Sequence, residues 1–402
     1  MKILKLILTT LLLVVVYVAA AQCNGRYENE LFAEVEMQTV TYTDVYNWSI
    51  SELGLEMDVY QPIGDTLSNR PLIIFAHGGA YIGGDKNSLT MTTLCQSFAK
   101  RGYVTASIRY RLTSPTSFFL PNAEEILIQT MVNSMSDMKA SIRYFRKDVY
   151  ENGNTYNVNP NLIFVGGYSA GAITALHVSS VDSQEVPMEL MSYFENAGGI
   201  EGNSGNDGYS SEVSGAVVLA GAIKELSFFD ENDVPVVSIH GTNDDVVSYN
   251  CDNVYQNSNL PSLCGSGEVH PKLNTLGIYN DLFTINNGGH EAPMFNLNQT
   301  YIPFISDFLF ELVCNDVSKV TSIKPNSMVL WPNPTSGPTM LDLPDGMNEL
   351  SLYNQLGHLV LNENTNRQSF NLNIAHLPSA VYYLVCFNKL SSRQFQAKLI
   401  KY

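Results

Sequence analysis

Basic residues are scarce in this 402-residue sequence: 22 lysines and arginines stand against 39 aspartates and glutamates, a formal charge of −17. A surface of that sign repels a phosphate backbone, and no basic stripe or run offsets it locally, which argues against nucleic acid as a partner. Glycine does not recur at every third place, so the chain is not collagen-like, and 45% hydrophobic residues set it apart from a wholly disordered one. No cysteine and histidine spacing resembles a zinc site. Beyond the first 21 residues no run is long and apolar enough to cross a bilayer, so no stable membrane span is expected once that segment is gone.

What is present begins with the leader. Lys2 and Lys5 precede the apolar run Leu6 to Val18, which ends in Ala19-Ala20-Ala21, the build of a secretory signal peptide over residues 1–21. Cys23 raises a lipid anchor as the rival, but Gln22 stands where a lipobox wants a small residue. Export allows the six cysteines to pair. Cys251 and Cys264 flank a turn-rich segment and are the expected bridge, whereas the partners of Cys23, Cys95, Cys314 and Cys386 cannot be read from sequence.

From Pro71 to Leu312 the sequence alternates buried-strand and helix patterns. Pro71 to Ala76, Tyr103 to Ile108, Leu162 to Val165, Gly215 to Ala220, Val234 to Ile239 and Leu282 to Ile285 read as strands, after two opening strands at Glu36 to Asp44 and Leu53 to Gln61. Helices are expected at Ser88 to Arg101, Ala123 to Lys147, from Ser169 onward, and at Tyr301 to Leu312. Such alternation predicts an α/β fold with a mostly parallel sheet covered by helices on both faces, and ligands then bind at the carboxyl ends of the strands.

The residues with chemical potential fall at those ends. Gly167-Tyr168-Ser169-Ala170-Gly171 follows one strand and opens one helix, a context in which small neighbours allow a sharp turn that projects a serine hydroxyl. The Ala170 amide then lies at a helix N-terminus. His77-Gly78-Gly79-Ala80 follows another strand, and the amides of Gly79 and Ala80 with that of Ala170 form a candidate oxyanion hole. His77 reads as a loop organiser. A serine needs a base and an orienting carboxylate. Asp244 or Asp245 after the strand ending near Ile239 offers the carboxylate. His270 or His290 offers the base. His290 sits on a glycine turn after the last strand, while His270, beside Pro271, is expected at the surface.

Together these motifs make residues 22–314 resemble an α/β-hydrolase of the carboxylesterase and hormone-sensitive-lipase-like type. The resemblance implies Ser169, His290 and Asp244 as the catalytic triad, an ester substrate, and no metal or organic cofactor. Ala80 stands where such families often carry a third glycine, and Tyr168 replaces the commoner histidine or aspartate. Tyr81, Tyr168, Phe118 and Phe119 are candidates for the substrate pocket. Val186, Leu190, Tyr193 and Phe194, in the insertion from Val181 to Glu212, have helical spacing that suits either a cap over the acyl group or a helix packed on the body. Asp137 and Arg143 read as structural pairs. A serine peptidase on the same fold, or a catalytically silent surface adhesin, are the alternative functions.

After a polar linker at 315–327 the texture changes to short strands separated by turns, which suggests a small β-sandwich over residues 328–402. Trp331-Pro332-Asn333-Pro334-Thr335-Ser336-Gly337, the stretch Leu350 to Gly357, Leu377-Pro378-Ser379-Ala380-Val381-Tyr382 and the closing Lys398-Leu399-Ile400-Lys401 resemble the C-terminal sorting domain of type IX secretion cargo. Ala380 departs from the usual glycine. This likeness implies the type IX secretion machinery as a partner and a secreted or surface-attached protein.

Overall fold

The computed structural model describes Cys23 and residues 25–47, 52–182, 185–314, 326–327, 330–331, 335, 337–343, 348–354, 359–367, 369–388 and 393–401. The signal segment, most of the linker, and parts of the tail motifs, including Pro332 to Pro334, Ser336 and Gly357, lie outside the described residues. Two compact units divide the chain, at 1–321 and 322–402.

Eight strands of the first unit form one sheet: β1 (Val35–Asn47), β2 (Glu52–Pro62), β3 (Arg70–Ala76), β4 (Val104–Ile108), β5 (Val158–Tyr168), β6 (Gly215–Leu219), β8 (Val236–Gly241) and β11 (Asn280–Ile285). Their order is β1-β2-β4-β3-β5-β6-β8-β11. The pairs β1/β2 and β2/β4 are antiparallel, and the other neighbours are parallel.

Alternation along β3 shows how the sheet is covered. Leu72, Ile74 and Ala76 enter one core, Ile73 and Phe75 the other, as the two-residue period of a strand requires. On the first face pack the helices α2 (Ala123–Glu151), α3 (Ala170–Ser180), α4 (Met188–Asn196) and α5 (Ser266–Leu276). The second face carries α1 (Leu89–Lys100) and α6 (Ile302–Cys314). A doubly covered, mostly parallel sheet is what the apolar strand runs predict.

α4 decides between the two readings of the 181–212 insertion. Val186, Leu190 and Phe194 are buried in the body with Tyr193 packed beside them, so the helix lies on the core. The following loop is anchored to α2. Arg143 donates to the Gly205 and Glu201 carbonyls, Lys139 to the Ile200 carbonyl, and the buried Asp137 accepts from Arg111 and from Ser204 at 2.6 Å. Asp137 and Arg143 are thus both structural, each with its own partners.

α5 corrects another expectation. His270 is buried, because it shares the inner face of the helix with Val269 and Leu273, and its Nδ1 stands 2.7 Å from Asn280 Oδ1. Before α5 comes a small sheet of β7 (Ala222–Ile223), β10 (Ser262–Gly265) and β9 (Cys251–Asn253), in which the expected Cys251–Cys264 bridge joins paired residues. Cys23 is bonded to Cys314, 291 positions away. Cys95 and Cys386 are free and buried.

Near the start of β8 a group of carboxylates gathers. Burial, with Glu185, Asp230 and Asp182 nearby, pushes the Asp233 carboxyl up to about 8 despite the Asp230 N–H that it accepts. A raised carboxyl favours the folded state most at a pH below its unfolded value, about 4. That contribution is lost as pH rises to about 8. Asp233→Asn is therefore expected to flatten the fall in melting temperature between pH 5 and 8 and to raise it at pH 8, measured by thermal unfolding across that range.

The second unit holds a five-stranded sheet, β12-β19-β18-β15-β16, and a three-stranded one, β13-β14-β17. Here β12 is Asn326–Ser327, β13 Leu330–Trp331, β14 Thr339–Asp342, β15 Asn348–Asn354, β16 Leu359–Thr365, β17 Ser369–Leu372, β18 Ala380–Asn388 and β19 Arg393–Lys401. Leu341 and Leu372 from one sheet meet Leu350, Leu352, Leu384 and Leu399 from the other in a single core. The tail motifs have a physical basis. Lys401 is buried and its Nζ donates to the carbonyls of Ile374, Ala375 and Leu377, while Tyr382 Oη donates to the Pro378 carbonyl at 2.8 Å.

Candidate active site

The chain turn after β5 is the sharpest feature of the site. Ser169 has φ 54° and ψ −120°, and α3 begins at the next residue. This conformation is strained for a residue with a side chain, and close packing sustains it. A Cβ on Gly171 would lie 2.0 Å from the Ala76 carbonyl oxygen, so only glycine lets α3 approach β3.

Two further loops arrive at the same edge. Asp244 follows β8 and His290 follows β11, and β8 and β11 are parallel neighbours. Their loops touch at Gly241, where a Cβ would stand 2.2 Å from the Gly288 carbonyl oxygen, and the Asn243 N–H donates to that same oxygen. His290 Nε2 stands 2.8 Å from Ser169 Oγ, and His290 Nδ1 stands 2.7 Å from Asp244 Oδ2. The three residues expected from sequence therefore form one continuous hydrogen-bonded line. Asp245 has no place in it.

Electrostatics keep Asp244 ionised. Burial alone would raise its carboxyl, but donors from His240, His290 and the Val247 amide hold it well below the usual carboxylate range. Oδ1 accepts the N–H groups of Val246 and Val247, both at 2.9 Å. His240 Nε2 lies 3.2 Å from Oδ2, a contact that the motif gave no means of reading from sequence.

The loop after β3 lies beside Ser169. Gly79 and Ala80 both have positive φ, 125° and 53°. His77 organises this loop as expected: it is buried, its ring stacks on Tyr110 at 4.4 Å, its carbonyl accepts from Tyr110 Oη, and burial lowers its basicity.

A cavity opens at Ser169, walled by Ala80, Tyr81, Phe118, Leu127, Met131 and Ile173 on one side and by Val246, Val247, Val254, Tyr255, Pro261 and Leu263 on the other. About 40 Å³ of its interior is free. Of the four pocket candidates, Tyr81 and Phe118 stand in this wall. Phe119 does not: in the short 3₁₀ turn Pro115–Phe119 adjacent side chains diverge, and Phe119 is 87% exposed. Tyr168 packs on His290 instead, with ring centres 5.3 Å apart and its Oη donating to the His290 carbonyl. None of Val186, Leu190, Tyr193 and Phe194 is part of the wall. Sequence reasoning missed the whole side supplied by residues 246–263, although the cysteines that tie that hairpin were legible.

Comparisons with known proteins follow the same division of the chain. Residues 57–201 match the BD-FAE family model, and residues 329–402 match the secretion system C-terminal sorting domain. Among curated proteins no sequence matches. Of solved structures, a truncated carbohydrate esterase from gut microbiota is 18% identical with a TM-score of 0.50, over 71% of this chain and 98% of its own. Esterase 2 of Thermogutta terrifontis, a Planctomycetes species, with propionate bound is 17% identical with a TM-score of 0.47, over 74% of this chain and 95% of its own. Likeness at this identity is one of fold. The first unit thus has the α/β-hydrolase fold, with residues 57–201 similar to the BD-FAE esterase family, and residues 329–402 are a sorting domain that directs the chain through type IX secretion to the cell surface or beyond.

Proposed function

We propose that the protein is a serine hydrolase of short-chain carboxylic esters. The observation that carries this reading is the unbroken line from Ser169 Oγ through His290 to an ionised Asp244, at 2.8 and 2.7 Å, beside an apolar cavity. Ser169 Oγ attacks the ester carbonyl as His290 Nε2 takes its proton. The imidazolium so formed is stabilised by Asp244, which also fixes the ring. Negative charge that develops on the carbonyl oxygen meets the amides of Gly79, Ala80 and Ala170, the last at the N-terminus of α3. His290 then protonates the leaving alcohol. Water, deprotonated by the same imidazole, releases the acid from the acyl-enzyme.

Cavity size supports a short acyl group. The roughly 40 Å³ available is small beside the about 300–1,000 Å³ of pockets that take drug-sized ligands. Acetyl to butyryl esters fit, including acetylated plant polysaccharides, with the alcohol portion left outside. p-Nitrophenyl esters from acetate to decanoate, beside acetylated xylan, feruloyl esters and polyester film, test this. The expected outcome is kcat/KM highest at two to four carbons, and activity confined to long chains or to peptide bonds overturns the reading.

Met131, from α2, lines the cavity. Met131→Ala is expected to raise the hexanoate-to-acetate ratio of kcat/KM by about 10-fold or more, since each accommodated methylene is worth about 1–3 kcal/mol. The same truncation lowers stability by about 2–5 kcal/mol. An unchanged chain-length profile would remove Met131 from the acyl pocket.

A further inference from the structure

We infer that His240 is a positioning residue for the reaction proposed above, its Nε2–H holding the Asp244 carboxylate in the orientation that meets His290. The inference rests on that ester-hydrolase reading.

Strand alternation on β8 sends Ile239 to one face of the sheet and His240 to the other, where the ring has no exposure to solvent. The tautomer follows from its partners. Nδ1 lies 2.9 Å from Ser266 Oγ and receives the Ser266 backbone N–H at 3.4 Å. A backbone N–H only donates, so Nδ1 is the acceptor and the proton of the neutral ring is on Nε2. Nε2 in turn faces two groups that only accept: Asp244 Oδ2 at 3.2 Å and the Val247 carbonyl at 3.0 Å.

With this proton counted, Asp244 accepts three hydrogen bonds and has the His240 Nε2–H, shared with the Val247 carbonyl, as a close fourth contact. The Val246 and Val247 amides serve Oδ1, while His290 and His240 share Oδ2. His240 also grips the 244–247 turn at its far end through the Val247 carbonyl, so carboxylate and turn are fixed by one ring. Tyr249 packs edge-on against that ring at 5.5 Å. Ser266 opens α5 two residues after Cys264. One imidazole therefore joins the disulfide-tied wall of the pocket to the acid that orients the base.

A glutamine side chain carries its amide nitrogen to the place of imidazole Nε2, whereas asparagine reaches only as far as Nδ1. His240→Gln therefore keeps a donor for Asp244 and His240→Asn does not. His240→Leu is a second donor-free variant, should the Asn protein fail to fold. Turnover of a short-chain p-nitrophenyl ester is measured per active site, titrated with a fluorophosphonate, so that partial unfolding lowers the titre and not kcat. The expected result is a fall in kcat of about 10–100-fold for Asn or Leu, the effect of losing a hydrogen bond to a charged group. KM stays near wild type, and Gln recovers most of the loss. Equal kcat for the Gln and donor-free variants, in a wild-type protein that hydrolyses esters and labels at Ser169, overturns the role of His240 alone. A wild-type protein that does neither overturns the ester-hydrolase reading, and this inference with it.

Discussion

Ser169→Ala or His290→Ala is expected to lower kcat on a short-chain ester by roughly 10⁴–10⁶-fold, with the melting temperature close to that of the wild type. The size of the effect follows from the single path for the proton. Serine is a weak nucleophile at neutral pH, and the base in contact with Oγ is His290 Nε2, at 2.8 Å. In the proposed mechanism no acyl-enzyme forms without the hydroxyl, and without the imidazole neither acylation nor deacylation has a proton carrier. What would remain is the action of the proposed oxyanion-hole amides at Gly79, Ala80 and Ala170 on an ester attacked directly by water. Because both residues serve one step, the double variant should be no worse than either single one. Folding should survive, since the turn at Ser169 is held by Gly171 against β3 and by the Ser169 N–H donated to the Leu219 carbonyl, and neither depends on the side chain. Steady-state kinetics with thermal melts measure both halves, and a loss below about 100-fold in either variant would be too small for a triad member.

The second large effect concerns stability. Replacing Cys23 and Cys314 together by serine is expected to remove about 2–5 kcal/mol. Against the roughly 5–15 kcal/mol that holds a typical domain, this is a major share. The reason is the length of chain the bridge closes: 291 positions, against 13 for Cys251–Cys264. In an unfolded chain the first bridge restricts far more conformations than the second. Neither Cys23 nor Cys314 lines the cavity at Ser169, so activity at low temperature should persist. Thermal unfolding of the variant, and of the wild type with and without reductant, checks this. A melting temperature unchanged by the double substitution would mean that the bridge does not constrain the unfolded state.

Local signals carried most of the fold. Apolar runs such as Leu72 to Ala76 announce buried strands because both faces of the sheet are covered, and the small residues around Ser169 announce a strand-to-helix turn because nothing larger fits beside Ala76. Long-range facts were not legible. Nothing near Cys23 points to Cys314, since their meeting depends on the entire sheet between them. Pro271, close to the Cys251–Cys264 loop, hid α5 and led to the expectation of an exposed His270. Phe118 and Phe119 are neighbours of the same type, and only the backbone of a 3₁₀ turn decides which of them enters the pocket. His240 stood in view beside Gly241, but its task depends on Ser266 and Asp244, which different elements bring to it.

Covalent labelling tests the central claim most directly. Fluorophosphonate is reacted with the wild-type protein and the Ser169→Ala variant, and the adduct is located by mass spectrometry of the digested chain. One adduct per molecule is expected, on Ser169, formed in step with loss of ester hydrolysis and absent from the variant. An adduct at another serine, equal labelling of the variant, or ester hydrolysis that survives complete labelling would contradict it.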